Sequence, residues 1–127
     1  IKAYKMKIRH IFSSILVAVS MVLISTSSAE ANPVGGNVTS TFVIRPSQIK
    51  YLDITLRGGE LTRVRVAGDG SGDIDCIVVS PRGNVVASDK DSLDNCLLMI
   101  EPVSTEEYRV IVQNNGEQTT LAQLLAD

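Results

Sequence analysis

Ile49-Lys50-Tyr51-Leu52-Asp53-Ile54-Thr55-Leu56 is the stretch on which the fold of this chain turns. Leu52, Ile54 and Leu56 alternate with Tyr51, Asp53 and Thr55. In an extended backbone that spacing puts the aliphatic side chains on one face and the others on the opposite face. The same period returns after Arg57-Gly58-Gly59-Glu60. From Leu61 to Ala67, Val64 and Val66 alternate with Arg63 and Arg65. A period of two describes strands with one face in a core and the other in water.

Working outward, short runs of β-branched and aliphatic residues recur between Gly, Pro, Asn and Asp. Val38 to Ile44 reads as a strand that stops before Pro46, where the ring removes a backbone donor. Gly68-Asp69-Gly70-Ser71-Gly72 is a loop, since three glycines in five residues disfavour regular structure. Asp73 to Ser80 is a strand closed by the turn Pro81-Arg82-Gly83-Asn84, and Val85 to Ser88 is a short one. After the acidic loop Asp89 to Asn95 come Cys96 to Glu101, Tyr108 to Gln113 and Thr119 to Leu125. Leu121 to Leu125 also admits a terminal helical turn, but Asn115-Gly116 just before it favours a hairpin. The sequence thus predicts an all-β protein, an antiparallel sandwich of about eight strands.

Residues 1–31 follow a different logic. Met6-Lys7-Ile8-Arg9-His10 is a basic start, with Met6 read as the initiator. An apolar run from Ile11 to Ile24 leads through Ser25 to Ser28 into Ala29-Glu30-Ala31. A positive head, a short apolar segment and a small-x-small site describe a cleavable signal peptide, with cleavage expected after Ala31. The competing reading is a membrane anchor, for which about 20 apolar residues are needed. Residues 32–37 read as a flexible leader and residues 38–127 as the domain. Lys2, Lys5, Lys7, Arg9 and Glu30 leave with the signal, so 8 basic and 13 acidic residues remain. That balance offers no basic field for nucleic acid. The expected destination is secreted or periplasmic, without stable membrane insertion after cleavage.

Cys76 and Cys96 make an even pair in a chain expected to be exported, and the simplest reading is a disulfide. Two cysteines without histidines or further thiols make a poor zinc site.

The segment Gly68-Asp69-Gly70-Ser71-Gly72-Asp73-Ile74-Asp75-Cys76-Ile77-Val78-Val79-Ser80-Pro81-Arg82-Gly83-Asn84 resembles the central motif of bacterial pre-peptidase C-terminal domains. That motif runs from a Gly/Asp-rich loop into an Asp-apolar-Asp strand and a Pro-x-Gly turn. Tyr51 to Leu56 with Gly58-Gly59 resembles the family's preceding hairpin, and Tyr108 to Asn114 its late strand. Ser80 departs from a common Asp, Ile77 from a frequent Tyr and Glu106 from a frequent Gly. The resemblance covers about residues 38–125 and implies a jelly-roll-like sandwich. It further implies an accessory domain beside exported enzymes, some relatives of which bind calcium or collagen.

Catalysis by a nucleophilic triad needs a positioned base, normally His, and the single His of the chain, His10, leaves with the signal. No catalytic residue is assigned and no enzyme is expected. Calcium takes hard oxygen ligands at short spacing. Asp69, Asp73 and Asp75 are the candidate calcium ligands, with Asp89, Asp91 and Asp94 as a second group. Aspartates that cap turns explain both groups without metal. Of the three aromatic residues beyond the signal, Phe42 and Tyr108 are expected to pack, leaving Tyr51 exposed. Arg63 and Arg65, with Arg57, could form a small cationic stripe. The sequence therefore points to a non-catalytic interaction module whose partner is an extracytoplasmic protein or a polysaccharide. A calcium-stabilised structural domain and a small hydrolase or hydrolase inhibitor are the alternatives.

Overall fold

The computed structural model describes residues 33–127, so the signal-peptide reading of residues 1–31 lies outside it. Eight strands follow one another without a helix among the described residues. They are β1 Val38–Ile44, β2 Ile49–Leu56, β3 Thr62–Ala67, β4 Ile74–Val79, β5 Val85–Asp89, β6 Asn95–Ile100, β7 Glu106–Asn114 and β8 Thr120–Ala126. They build two four-stranded antiparallel sheets, in the orders β1-β8-β3-β6 and β2-β7-β4-β5. This is the jelly-roll order of an all-β sandwich.

The inner faces are the aliphatic halves of the alternating strands. Val64 and Val66 of β3, Ile74 and Val78 of β4, Leu98 of β6, Val110 and Val112 of β7 and Leu124 of β8 form one buried cluster. Tyr108 is buried and Phe42 packs against the same cluster. One residue of slip would turn each set outward, so the pattern holds the register.

Two expected hairpins are corrected by the topology. Arg57 to Glu60 joins β2 to β3, and these strands belong to different sheets. The link is an arch across the sandwich, packed on the connection that precedes β7. The Gly59 amide donates to the Pro102 carbonyl at 2.7 Å, and the Gly58 amide to Thr105 Oγ1 at 3.0 Å. A Cβ at Gly58 would lie 2.6 Å from Ser104 Cα, so glycine is required there by close approach. Asn115-Gly116 likewise crosses from β7 to β8, again between sheets. The last segment is nevertheless a strand, in register with β1 and β3. Among the described residues only β4 and β5 are consecutive strands within one sheet. Their turn is closed by Ser80 N–H to the Asn84 carbonyl at 2.8 Å, with Gly83 at φ 89°.

Residues 33–36, read from the sequence as part of a leader, lie along β2. Pro33 bridges Leu56, and the Val34 amide donates to the Thr55 carbonyl at 2.9 Å. Cys76 and Cys96 form a disulfide, with Cα atoms 6.2 Å apart, that links β4 of one sheet to β6 of the other.

Thr62 is fully buried in β3, and its Oγ1 has no hydrogen-bond partner. A buried unsatisfied hydroxyl costs roughly 1–3 kcal/mol. Thr62→Val, which keeps the branched shape, is expected to raise the midpoint of thermal unfolding, by about 4–8 °C per kcal/mol recovered in a domain of this size. A drop on calorimetry would show that the hydroxyl is satisfied in solution.

Candidate functional site

The outer face of the β2-β7-β4-β5 sheet carries the polar halves of the same alternations. β2 and β7 pair so that Asp53 lies opposite Arg109, with Tyr51 opposite Ile111 one step along the same face. Arg109 donates from Nε and Nη2 to the two oxygens of Asp53, at 2.7 and 3.0 Å. Two parallel charge-assisted bonds fix the plane of the guanidinium. Its Cζ lies 5.3 Å from the centroid of the Tyr51 ring, within cation–π reach. Hydrogen bonding from Arg109 holds the Asp53 carboxyl below its ordinary range, and Asp53 in turn raises Arg109. Tyr51 remains 61% exposed, as its place in the alternation implied.

Beside this pair lies an open concavity of about 610 Å³. Asp53, Arg109, Glu106 and Glu107 line it together with Ser80 and Pro81 of the β4–β5 turn. Glu106 accepts from Ser104 Oγ at 2.6 Å and meets Arg82 at 3.5 Å. The sequence reading picked out Tyr51 but missed Asp53 and Arg109. The available signal was their shared outward parity on two strands; that the strands are neighbours was hidden.

The three expected calcium ligands are placed in different surroundings. Asp69 sits in the glycine loop and binds β8. Its carboxylate accepts from the Ser71 hydroxyl and amide, from Thr120 Oγ1 at 2.8 Å and from the Leu121 amide at 3.1 Å. The Ser71 bond, then those of Leu121 and Thr120, hold this carboxyl far below the ordinary carboxylate range. Asp75 accepts from Asn115 Nδ2. Desolvation first, and the negative charge of Asp73 second, push the Asp75 carboxyl up. Asp73 Oδ1 is buried without a hydrogen-bond partner. Among the described residues no group of three or more acidic, histidine or cysteine side chains is arranged to hold a metal ion.

Asp94 and Asp89, grouped in the sequence reading with Asp91, do separate work. The Asp94 carboxylate reaches into the glycine loop and accepts from the Gly70 amide. A Cβ on Gly68 or Gly72 would collide with it, which explains two of the three glycines. Asp91 Oδ1 accepts from the Leu93 amide at 2.9 Å, closing a local turn. Asp89 Oδ2 accepts from the Leu97 amide at 2.9 Å, at β6, an edge strand of its sheet. The cationic stripe carries its own counter-ion, because Arg63 and Arg65 both donate to Asp127 Oδ2, at 3.0 and 3.1 Å.

The depressed Asp69 carboxyl has a definite consequence in acid. A carboxylate whose folded pKa lies below the unfolded value of about 4 stabilises the fold above that pH. The contribution is lost as the pH falls through and below it. Asp69→Asn is expected to lower the unfolding midpoint at neutral pH and to flatten its decline between about pH 4 and pH 2. Equal acid slopes in the two proteins would remove Asp69 from this role.

No protein-family model matches the chain, and no curated protein matches it. Solved structures do. The pre-peptidase C-terminal domain of a collagenase from Bacillus anthracis aligns with a TM-score of 0.57 at 9% identity, covering 72% of this chain and 89% of that one. PirA aligns with a TM-score of 0.52 at 17% identity, covering 70% and 93%. The periplasmic inhibitor of g-type lysozyme from Aeromonas hydrophila, PliG, aligns with a TM-score of 0.50 at 12% identity, covering 70% and 83%. At these identities the likeness establishes the fold: this chain is an antiparallel β-sandwich of the kind seen in a pre-peptidase C-terminal domain.

Proposed function

We propose that this chain is a non-catalytic, pre-peptidase C-terminal-like module that works outside the cytoplasm and binds a protein partner through the outer face of its β2-β7-β4-β5 sheet. The observation that carries the reading is the Tyr51–Arg109–Asp53 group. An exposed ring lies beside a guanidinium already locked in plane by a bidentate carboxylate, so both enter a complex with little rotamer entropy left to lose. Tyr and Arg are also the residue types that most often dominate protein–protein interfaces. The disulfide and the secretory character of residues 1–31 support an extracytoplasmic site. The absence of His beyond residue 10 argues against a triad hydrolase. In this reading Asp69 and Asp94 organise a loop and need no calcium.

Cross-linking in an envelope extract of the source cell, followed by reconstitution with the purified partner, tests the proposal. The Arg109→Ala and Tyr51→Ala variants should keep the wild-type unfolding midpoint to within a few degrees and weaken the reconstituted complex by tenfold or more. That corresponds to the ~1.4 kcal/mol or more expected of interface anchors. Inhibition of g-type lysozyme is one defined arm of the same assay. Unchanged affinity in both variants would refute the proposal. A large thermal shift with millimolar calcium would instead favour a metal-stabilised domain.

A further inference from the structure

At the edges where β1 and β2 face each other, the inner rows of the sandwich are interrupted by polar side chains. Lys50 shares the inward parity of Leu52, Ile54 and Leu56 on β2, and it pairs with the buried Val112 of β7. On the other sheet Ser40 shares the inward parity of Phe42 and Ile44 on β1, opposite the buried Leu124 of β8. Both strands are edges of their sheets. Serine is too small to fill an inter-sheet position, and lysine is too strongly hydrated to close over one. The space between the two edges therefore stays open as a groove of about 190 Å³ lined by Ser40, Phe42, Lys50, Leu52, Val112 and Leu124, with Tyr51 also at its margin. Its apolar lining comes from the core itself. Among the described residues neither the Lys50 ammonium nor the Ser40 hydroxyl has a hydrogen-bond or ion-pair partner.

We propose that this groove is a binding site for a short aliphatic carboxylate, bordering the partner-binding face at Tyr51 and lying on the other side of β2 from Asp53. The tail occupies the apolar slot against Leu124 and Val112, and the carboxylate meets the Lys50 ammonium and the Ser40 hydroxyl. Charge selects the class: the side chain that interrupts an otherwise apolar lining is a cation without a partner. Size selects the length. The groove is small, about 190 Å³, and open at its mouth, which suits a short tail such as that of hexanoate. A neutral alcohol of the same length would keep the apolar burial and lose the charged contact.

The test is a titration of the protein with hexanoate, and separately with 1-hexanol, followed by backbone amide shifts in two-dimensional NMR. Saturable shifts centred on Phe42, Lys50 to Leu52, Val112 and Leu124 are expected for hexanoate, with binding about tenfold weaker for hexanol. Lys50→Met keeps the length of the stem and removes the charge; it should erase the preference for hexanoate. Ser40→Leu should fill the slot, abolish binding of both probes and leave the protein at least as stable. Shifts that do not saturate, equal affinity for the two probes in the wild type, or a preference that survives Lys50→Met would each overturn the assignment. None of these variants alters Asp53 or Arg109, so a failure here leaves the partner-binding proposal to its own test.

Discussion

Reduction of the Cys76–Cys96 disulfide is expected to lower the free energy of unfolding by about 3 kcal/mol. The bridge closes a loop over a sequence separation of 20, and most of its effect is exerted on the unfolded chain, whose ensemble shrinks when two distant points are joined. Both half-cystines are buried, at 1% and 3% exposure. Position adds to the effect. The bond ties β4 to β6, strands of opposite sheets that share no backbone ladder. Without it, the two layers on that side are held by side-chain packing and by hydrogen bonds such as Leu97 N–H to Asp89 Oδ2 and Ile74 N–H to the Leu93 carbonyl. For a domain of this size the unfolding midpoint should fall by roughly 12–24 °C. Calorimetry with and without reductant, and on a Cys76→Ala/Cys96→Ala variant, measures it. A change below about 1 kcal/mol would mean that the unfolded chain is already compact around these residues.

Replacing Asn114 by alanine is expected to cost about 3 kcal/mol or more. Asn114 ends β7 and is fully buried. Its Nδ2 donates to the Ile44 carbonyl at 3.0 Å and to the Gln118 carbonyl at 2.8 Å, while Oδ1 accepts from the Gly116 amide at 2.8 Å. Its backbone takes part as well: the Ser47 amide donates to the Asn114 carbonyl at 2.7 Å, and the Asn114 amide donates to Gln48. One residue therefore ties the β1–β2 crossing to the β7–β8 crossing. Truncation strands the Ile44 carbonyl in a buried setting and removes the partner of the Gln118 carbonyl and the Gly116 amide, both part-buried. Each buried loss is worth roughly 1–3 kcal/mol, with incomplete additivity. Asn114→Asp keeps the shape but turns the double donor into an acceptor facing two carbonyl oxygens, and should be at least as damaging. Chemical denaturation of the two variants gives the numbers. A loss under about 1 kcal/mol for Asn114→Ala would mean that water enters and replaces the amide.

The existence and facing of the strands were legible because burial and backbone pleat are coupled locally. Val64 and Val66 could only be inside if Arg63 and Arg65 were outside. The cysteine pair was legible on other grounds, as an even pair in a chain expected to be exported; the structure puts each half-cystine at an inward position of its own strand. Pairing was another matter. Arg57 to Glu60 and Asn115-Gly116 have the composition of tight turns, yet both carry the chain from one sheet to the other. Turn chemistry constrains a few dihedral angles; it does not say which layer the next strand joins. The partners of the aspartates were illegible for the same reason. Oxygens of Asp69, Asp94 and Asp89 accept from Thr120, Leu121, Gly70 and Leu97, partners up to 52 residues away that spacing along the chain does not reveal.

The amino-acid order alone thus determined an all-β domain and its inward residues, which follow from side-chain parity on an extended backbone, and its cross-link, which follows from an even pair of cysteines. The folded arrangement decided everything that depends on neighbours. It set Asp53 against Arg109 beneath an exposed Tyr51, made Asn114 the knot between two crossings, and placed Ser40 and Lys50 where two sheet edges fail to close. Those facts arise from contacts between residues remote in the chain, whose meeting depends on how eight strands are dealt between two sheets.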